Sequence, residues 1–268
     1  MPVLVNGRAG GQLDPMDRGL QYGDGLFETL AVRNGRARFM AAHLARLAEG
    51  ARRLALPLPD PDRLTGQIAA AWPKGRGVVK LILTRGPAGR GYRPPVVAEP
   101  TLIVAGFEWP NWPAAAWTEG IRLRYCRTRL GQNPALAGIK HLNRLEQVLA
   151  RAEWDDDRIA EGLMLDSMGQ VISGTQTNIF AVIAGRAVTP TLDQCGVAGV
   201  MRNALCGWAA AEGGKVVECS LRPEELETAT GIFVTNALIG AWPVRELEGR
   251  QLQAGTLAAR FNAWLALQ

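Results

Sequence analysis

The chain has 268 residues, 30 Lys+Arg against 25 Asp+Glu for a net charge of +5, and 47% hydrophobic content, enough for an ordinary core in one large or two small domains without disulfides or metals. Four cysteines (Cys126, Cys195, Cys206, Cys219) with no Cys-x-x-Cys pair, and only two histidines, suggest neither a disulfide framework nor a zinc site, and buried reduced thiols are expected. No run approaches the roughly 18 apolar residues that span a bilayer, the start MPVLVNGRAG lacks a basic leader with a long apolar core, and the arginines are not blocked together with aromatics, so a cytoplasmic protein without a membrane or nucleic-acid partner is expected.

The first third reads as hairpins. Val3–Val5 leads into Asn6-Gly7, and Leu26–Val32 meets Arg36–Met40 across Asn34-Gly35, a dipeptide suited to two successive positive φ angles. Leu44, Leu47, Ala48, Ala51 and Leu54 recur at helical spacing between Met40 and Leu56, where Pro57 and Pro59 end the pattern. A helix over Pro61–Trp72 and strands over Val78–Thr84 and Thr101–Phe107 complete an α+β unit. The stretch Glu108–Gly120, with two prolines and three tryptophans, reads as a connection, dividing the chain into a small domain, 1–113, and a larger one, 114–268. The second part is mostly β-rich. It begins with a strand at Ile121–Thr128, a Gly/Asn/Pro loop at Gly131–Gly138 and a helix over Lys140–Glu153 with Leu142, Leu145, Val148, Leu149 and Ala152 facing inward. Strands at Gly162–Asp166 and Ile179–Ile183, a return strand after Gly185-Arg186, helix Gly199–Ala211, strand Val216–Cys219, short helix Pro223–Thr228, strand Ile232–Thr235 and a C-terminal helix follow.

Only four of the 30 basic residues are lysine: Lys74, Lys80, Lys140 and Lys215. Residues 1–134 hold 19 basic and 10 acidic residues (+9), and 135–268 hold 11 and 15 (−4), so anions should be met mainly by the first part. Lys140 follows a flexible loop and opens the expected helix, where the helix dipole disfavours an ammonium and suits imine chemistry. Lys74 and Lys215 sit in Gly turns, and Lys80, within a strand, is the rival. Gly196-Val-Ala-Gly199-Val-Met-Arg202 is a glycine-punctuated loop entering a helix; it is either a plain junction or an anion cradle, and it matches neither a Walker loop nor a dinucleotide fingerprint. Thr84–Arg93 carries three arginines and three glycines, either carboxylate-binding forks or a solvated basic turn. His43 beside Arg46 reads as structural, and so does His141.

Together, Asp17-Arg18-Gly19, Tyr22-Gly23-Asp24-Gly25-Leu-Phe27-Glu28-Thr29, His43 with Arg46, Thr84-Arg-Gly with Gly89-Arg-Gly-Tyr92, Asn178-Ile-Phe180 and Gly196 to Arg202 resemble the fold-type IV pyridoxal 5′-phosphate enzymes, in order along nearly the whole chain. The segment Arg129–Gln147 is similar to the aminodeoxychorismate lyases of that family; the D-amino-acid and branched-chain aminotransferases are the alternative. The resemblance implies a small α+β domain followed by a larger pseudo-barrel domain, a homodimer, and a dicarboxylate substrate. It implies that Lys140 carries the cofactor and moves a proton. Arg46, the backbone N–H groups of Val200 and Met201, and Asn236 would hold the phosphate, Asn178 lies in the cofactor-binding N-x-F motif, and Thr29, Arg90 and Tyr92 would meet the substrate. No metal is implied.

One position departs from the family. Relatives carry a glutamate five residues before the Asn of the N-x-F motif, paired with the pyridine nitrogen, and this chain has Ser173 there. A hydroxyl holds a pyridinium less well than a carboxylate, which favours elimination over transamination.

Overall fold

The computed structural model describes residues 2–253 and 255–268. Two compact units are present: Met1–Pro110 with Ile139–Asn143, and Asn111–Gly138 with Arg144–Gln268.

The first unit contains β1 (Val3–Val5), β2 (Arg8–Ala9), α1 (Arg18–Tyr22), β3 (Gly25–Arg33), β4 (Arg36–Ala37), α2 (Met40–Leu54), α3 (Pro61–Ala71), β5 (Arg76–Thr84) and β6 (Thr101–Glu108). Its strands form an antiparallel sheet in the order β2-β1-β6-β5-β3-β4. The Asn6-Gly7 and Asn34-Gly35 turns have φ of 51° and 82°, and 49° and 75°, as the dipeptides required. α3 starts where Asp60 accepts from the N–H groups of Asp62 and Arg63 at 2.9 and 3.1 Å, with Pro61 at its first position. Alternation along β3 turns Leu26, Leu30 and Val32 into the core with Leu47, Ala51, Leu64 and Ile68, and leaves Phe27 and Thr29 half-buried on the other face.

Glu28 interrupts that apolar row as a carboxylate only 2% exposed. His43 Nδ1 donates to its Oε2 at 2.7 Å, and Arg46 forks onto it, Nε to Oε1 at 2.8 Å and Nη2 to Oε2. Burial alone pushes the Glu28 carboxyl up, but the hydrogen bonds from His43 and Arg46 and the guanidinium charge outweigh it and hold its pKa below the ordinary glutamate value. The arginines nearby are equally structural in their contacts. Arg18 holds Asp24 and the carbonyls of Gly91 and Tyr92, and Arg85 holds Asp24 and the last carbonyls of α2, Leu54 and Ala55. Of the three arginines in the basic loop, therefore, Arg85 is spent on the fold, while Arg90 is exposed.

The second unit contains α4 (Ala115–Thr118), β7 (Ile121–Leu130), α5 (Leu145–Arg151), β8 (Ile159–Asp166), β9 (Val171–Gly174), β10 (Asn178–Ile183), β11 (Arg186–Pro190), α6 (Val200–Ala211), β12 (Val216–Cys219), α7 (Pro223–Glu227), β13 (Gly231–Asn236), β14 (Gly240–Leu247), β15 (Arg250–Gln251) and α8 (Thr256–Leu265). One mixed sheet runs β12-β11-β10-β13-β14-β7-β8-β9, and its last strand packs back on β10 and β11, curling the sheet toward closure. The tryptophan stretch is more than a connection: Trp112 and Trp117 lie edge-on to Trp242 of β14 at 5.5 and 5.4 Å, and the Trp117 indole N–H donates to Ile239 O at 2.8 Å. Strand β14, absent from the expected elements, has Pro243 in its middle, opposite Phe233 in the ladder. Cys126 and Cys195 are buried, and burial followed by nearby carboxylates pushes both thiols up to about 12, so they stay protonated.

The helix expected over Lys140–Glu153 is corrected. Residues 140–144 are irregular and the helix starts only at Leu145; Leu145, Val148 and Leu149, expected to face inward, are 76%, 60% and 61% exposed, while Ala150 is buried. Tertiary pairing of residues 139–143 with the first unit overrides the helical period there.

Because Glu28 has a lowered pKa in the fold, its contribution is present at neutral pH and is lost as pH falls through and below about 4. Glu28→Gln is expected to destabilise the protein by about 3 kcal/mol at pH 7 and to flatten the acid limb of stability, measured by urea unfolding between pH 7 and 3. An unchanged acid limb contradicts the assignment.

Candidate active site

Lys140 is presented by an extended segment laid against the start of β3. The N–H of Phe27 donates to Lys140 O at 3.0 Å, Leu26 bridges to His141, Leu142 N–H donates to Gly25 O at 3.0 Å, and Asn143 Nδ2 donates to Gly23 O at 3.2 Å. With no helix start at Lys140, the dipole argument for its reactivity does not apply. What the structure supplies instead is placement: Lys140 Nζ lies 4.1 Å from the Phe27 ring centroid. Lys80 Nζ lies 5.3 Å from the same centroid, and Lys80 is directly opposite Thr29 in the β3–β5 ladder. The two lysines left by elimination therefore meet over one aromatic ring, beside Thr29, whereas Lys74 and Lys215 are exposed.

The other candidates of the first unit are held differently. Arg46 reaches Glu28, on the side of β3 opposite Phe27 and Thr29, with its side chain 13% exposed. Arg90 and Tyr92 lie on the loop after β5, whose carbonyls Arg18 anchors at 2.8 and 2.9 Å; Tyr92 is 84% exposed and meets Tyr22 edge-on at 5.4 Å. His43 is structural, as expected.

In the second unit, the loop that precedes Lys140 is zipped to the glycine loop that precedes α6. Asn133 N–H donates to Gln194 O at 2.7 Å, Gly138 N–H to Gly196 O at 3.0 Å, and Ala198 N–H to Gly138 O at 2.9 Å. Asn178 Nδ2 donates to Val197 O at 2.9 Å. A Cβ on Gly199 would fall 2.0 Å from Asn178 Oδ1, so only glycine allows this approach. α6 then begins with no side-chain cap and no acid in its first turn, which leaves the amides of the buried Val200 and Met201 at an uncapped, partially positive helix start. That geometry is one a phosphate could use. Arg202 is not part of the cradle: it is buried and bonds to Pro190 O and Glu218.

Ser173 is buried, and its Oγ donates to Gly174 O at 2.9 Å. Asn236 uses its side-chain carbonyl within its own turn, accepting from Leu238 and Ile239 N–H at 2.9 and 3.0 Å. Two features escaped the sequence reading: the meeting of Lys80 with Lys140, which pairing of distant segments creates, and the buried Glu161, whose only signal was an acid in an apolar strand.

The aminotransferase class IV family model matches residues 25–247. Aminodeoxychorismate lyase of Vibrio harveyi is 36% identical over 241 residues, covering 90% of this chain and 89% of that protein. The crystal structure of 4-amino-4-deoxychorismate lyase from Pseudomonas aeruginosa is 48% identical, with a TM-score of 0.94 over 99% of this chain and 98% of that one. The branched-chain amino acid aminotransferase of Escherichia coli is 23% identical with a TM-score of 0.85 over 99% and 93%, a likeness of fold alone. The fold is thus the fold-type IV arrangement, and the chain belongs to the aminotransferase class IV family.

Proposed function

We infer that this chain is a pyridoxal 5′-phosphate-dependent lyase that converts 4-amino-4-deoxychorismate to 4-aminobenzoate and pyruvate. The observation that carries the reading is the 48% identity to a lyase of that name across the whole chain, where the E. coli aminotransferase reaches 23%. Each within its own unit, the uncapped start of α6 suits a phosphate and the lysine standing over Phe27 offers an amine to an aldehyde. Bound there, the cofactor supplies an electron sink for the carbon that bears the substrate's amine.

The residues then divide the work. The family resemblance assigns the phosphate to Arg46, whose plane Glu28 sets, and to the Val200 and Met201 amides with Asn236, which would hold it, while Asn178 shapes the loop before those amides. Lys140 would carry the cofactor and, once the substrate's amine has displaced it there, its free amine would take the proton from C4 of the substrate. The C3–O bond breaks, enolpyruvate leaves and takes up a proton as pyruvate, and the ring becomes aromatic. Thr29 lines the pocket, and Arg90 and Tyr92 meet a carboxylate. Lys80, half-buried and beside Thr29, adds a second cation for a dicarboxylate. Ser173 already gives its proton to Gly174 O, so it meets the ring nitrogen as an acceptor and brings no negative charge. Weak support for charge on the ring handicaps reprotonation at the cofactor, which transamination needs, more than an elimination driven by aromaticity.

The exposed stripe Leu145, Val148 and Leu149 and the exposed loop of Arg90 and Tyr92 support a homodimer. Among the described residues no helix is long and apolar enough to cross a membrane; a cytoplasmic location remains part of this proposal.

Purified protein given 4-amino-4-deoxychorismate is expected to release 4-aminobenzoate, followed by fluorescence, with equimolar pyruvate; keto-acid formation from amino acids and 2-oxoglutarate without any 4-aminobenzoate would instead make it an aminotransferase. Ser173→Glu is expected to speed half-transamination by about tenfold, read from the cofactor's absorbance after mixing with amino acids, and no gain sinks the argument from Ser173. Light scattering should find twice the chain mass of 28.9 kDa for the wild type and a shift toward the single chain for Val148→Glu; a wild-type monomer refutes the dimer.

A further inference from the structure

Near the start of β8 in the second unit lies a carboxylate that the proposed reaction does not use. Glu161 is 1% exposed, and its two oxygens collect five donors. Oε1 accepts from Gly162 N–H at 2.9 Å, Thr175 N–H at 3.0 Å and Thr175 Oγ1 at 2.6 Å; Oε2 accepts from Gln176 N–H at 3.2 Å and Thr177 Oγ1 at 2.9 Å. All five donors are neutral. A charge withdrawn from water this far is tolerable only where donors saturate it, and five meet the roughly four lone-pair positions a carboxylate offers.

Four of the five donors belong to Thr175–Thr177, the turn that joins Gly174 to Asn178. The turn is closed further by Gly174 N–H donating to Thr177 O at 2.8 Å and Thr175 N–H to Gly162 O at 3.1 Å. A Cβ on Gly174 would lie 2.7 Å from Glu161 Oε2 and 2.2 Å from Thr177 Oγ1, so the carboxylate is seated directly against the backbone. Ser173 enters this turn and Asn178 leaves it, and Asn178 in turn holds Val197 O and abuts Gly199, the residue before α6. One continuous set of contacts therefore links Glu161 to Ser173 on one side and to the amides of Val200 and Met201 on the other.

We propose that Glu161 is a positioning residue that, by fixing the 174–177 turn, sets Ser173 and the start of α6 in register for the two ends of one ligand, the ring and the phosphate of a pyridoxal-type cofactor. The proposal rests on the reading that these groups face that cofactor. A carboxylate suits the task because its two oxygens fix two threonine hydroxyls and three backbone N–H groups at once; a glutamine in the same space offers one acceptor oxygen and turns its own N–H donors toward backbone donors.

The test uses the full-length protein freed of cofactor. Titration with pyridoxal 5′-phosphate, read by tryptophan fluorescence, is expected to give a Kd about tenfold weaker for Glu161→Gln than for wild type. Inorganic phosphate, which probes the α6 end alone, should bind more weakly as well, and the pH midpoint of the bound cofactor's visible band should shift. Leu64→Ala, in the core of the first unit, serves as a variant of comparable loss in Tm and should leave both Kd values and the midpoint unchanged. If Glu161→Gln fails to fold, Thr177→Val, which removes one donor, is expected to weaken cofactor binding about threefold. Wild-type Kd and midpoint in these variants, or losses no larger than those of Leu64→Ala, overturn the proposal while leaving the functional reading intact. A wild type that binds no pyridoxal 5′-phosphate overturns both.

Discussion

The two-residue alternation of β3 is the constraint on which the candidate site depends. It sends Glu28 to the helix-covered face, where it fixes the guanidinium of Arg46, and sends Phe27 and Thr29 to the other, where two lysines gather. A slip of one residue in register would exchange those environments, burying the aromatic ring and stranding the carboxylate. The pairing of Lys140 O with Phe27 N–H ties the lysine to the same strand, so one element sets both its position and that of its surroundings. Rigidity of this kind is what the role proposed for Lys140 would require.

Carboxylates without direct chemistry organise much of what surrounds the site. Glu28 sets Arg46 and His43, Asp24 ties Arg18 to Arg85 and through Arg18 to the loop bearing Arg90 and Tyr92, and Glu161 gathers the turn between Ser173 and Asn178. The charge bias of the first part of the chain takes on a different meaning in this light. Several arginines there, Arg18, Arg46 and Arg85 among them, are committed to internal carboxylates and carbonyls, and only a subset is turned outward to anions.

Much of the architecture could be read from the sequence where signals were local. Asn6-Gly7 and Asn34-Gly35 announced their turns, and the helix expected over Pro61–Trp72 is α3, Pro61–Ala71. Non-local pairing defeated the reading elsewhere. Leu142, Leu145, Val148 and Leu149 have a helical period, but residues 139–143 are captured by β3, and the helix that follows turns Leu145, Val148 and Leu149 to the outside. β14 was not among the expected strands, and its neighbours complete it around Pro243. Lys140 was chosen partly for a helix dipole that is absent; it stands instead on its place over Phe27 and on the motifs around it.

The central claim is that Lys140, and not the lysine facing the same ring from β5, carries the cofactor. Loading the protein with pyridoxal 5′-phosphate, reducing with borohydride, digesting and mapping the modified peptide by mass spectrometry tests this directly. The cofactor is expected on Lys140 alone; recovery on Lys80, or on no lysine, contradicts the account.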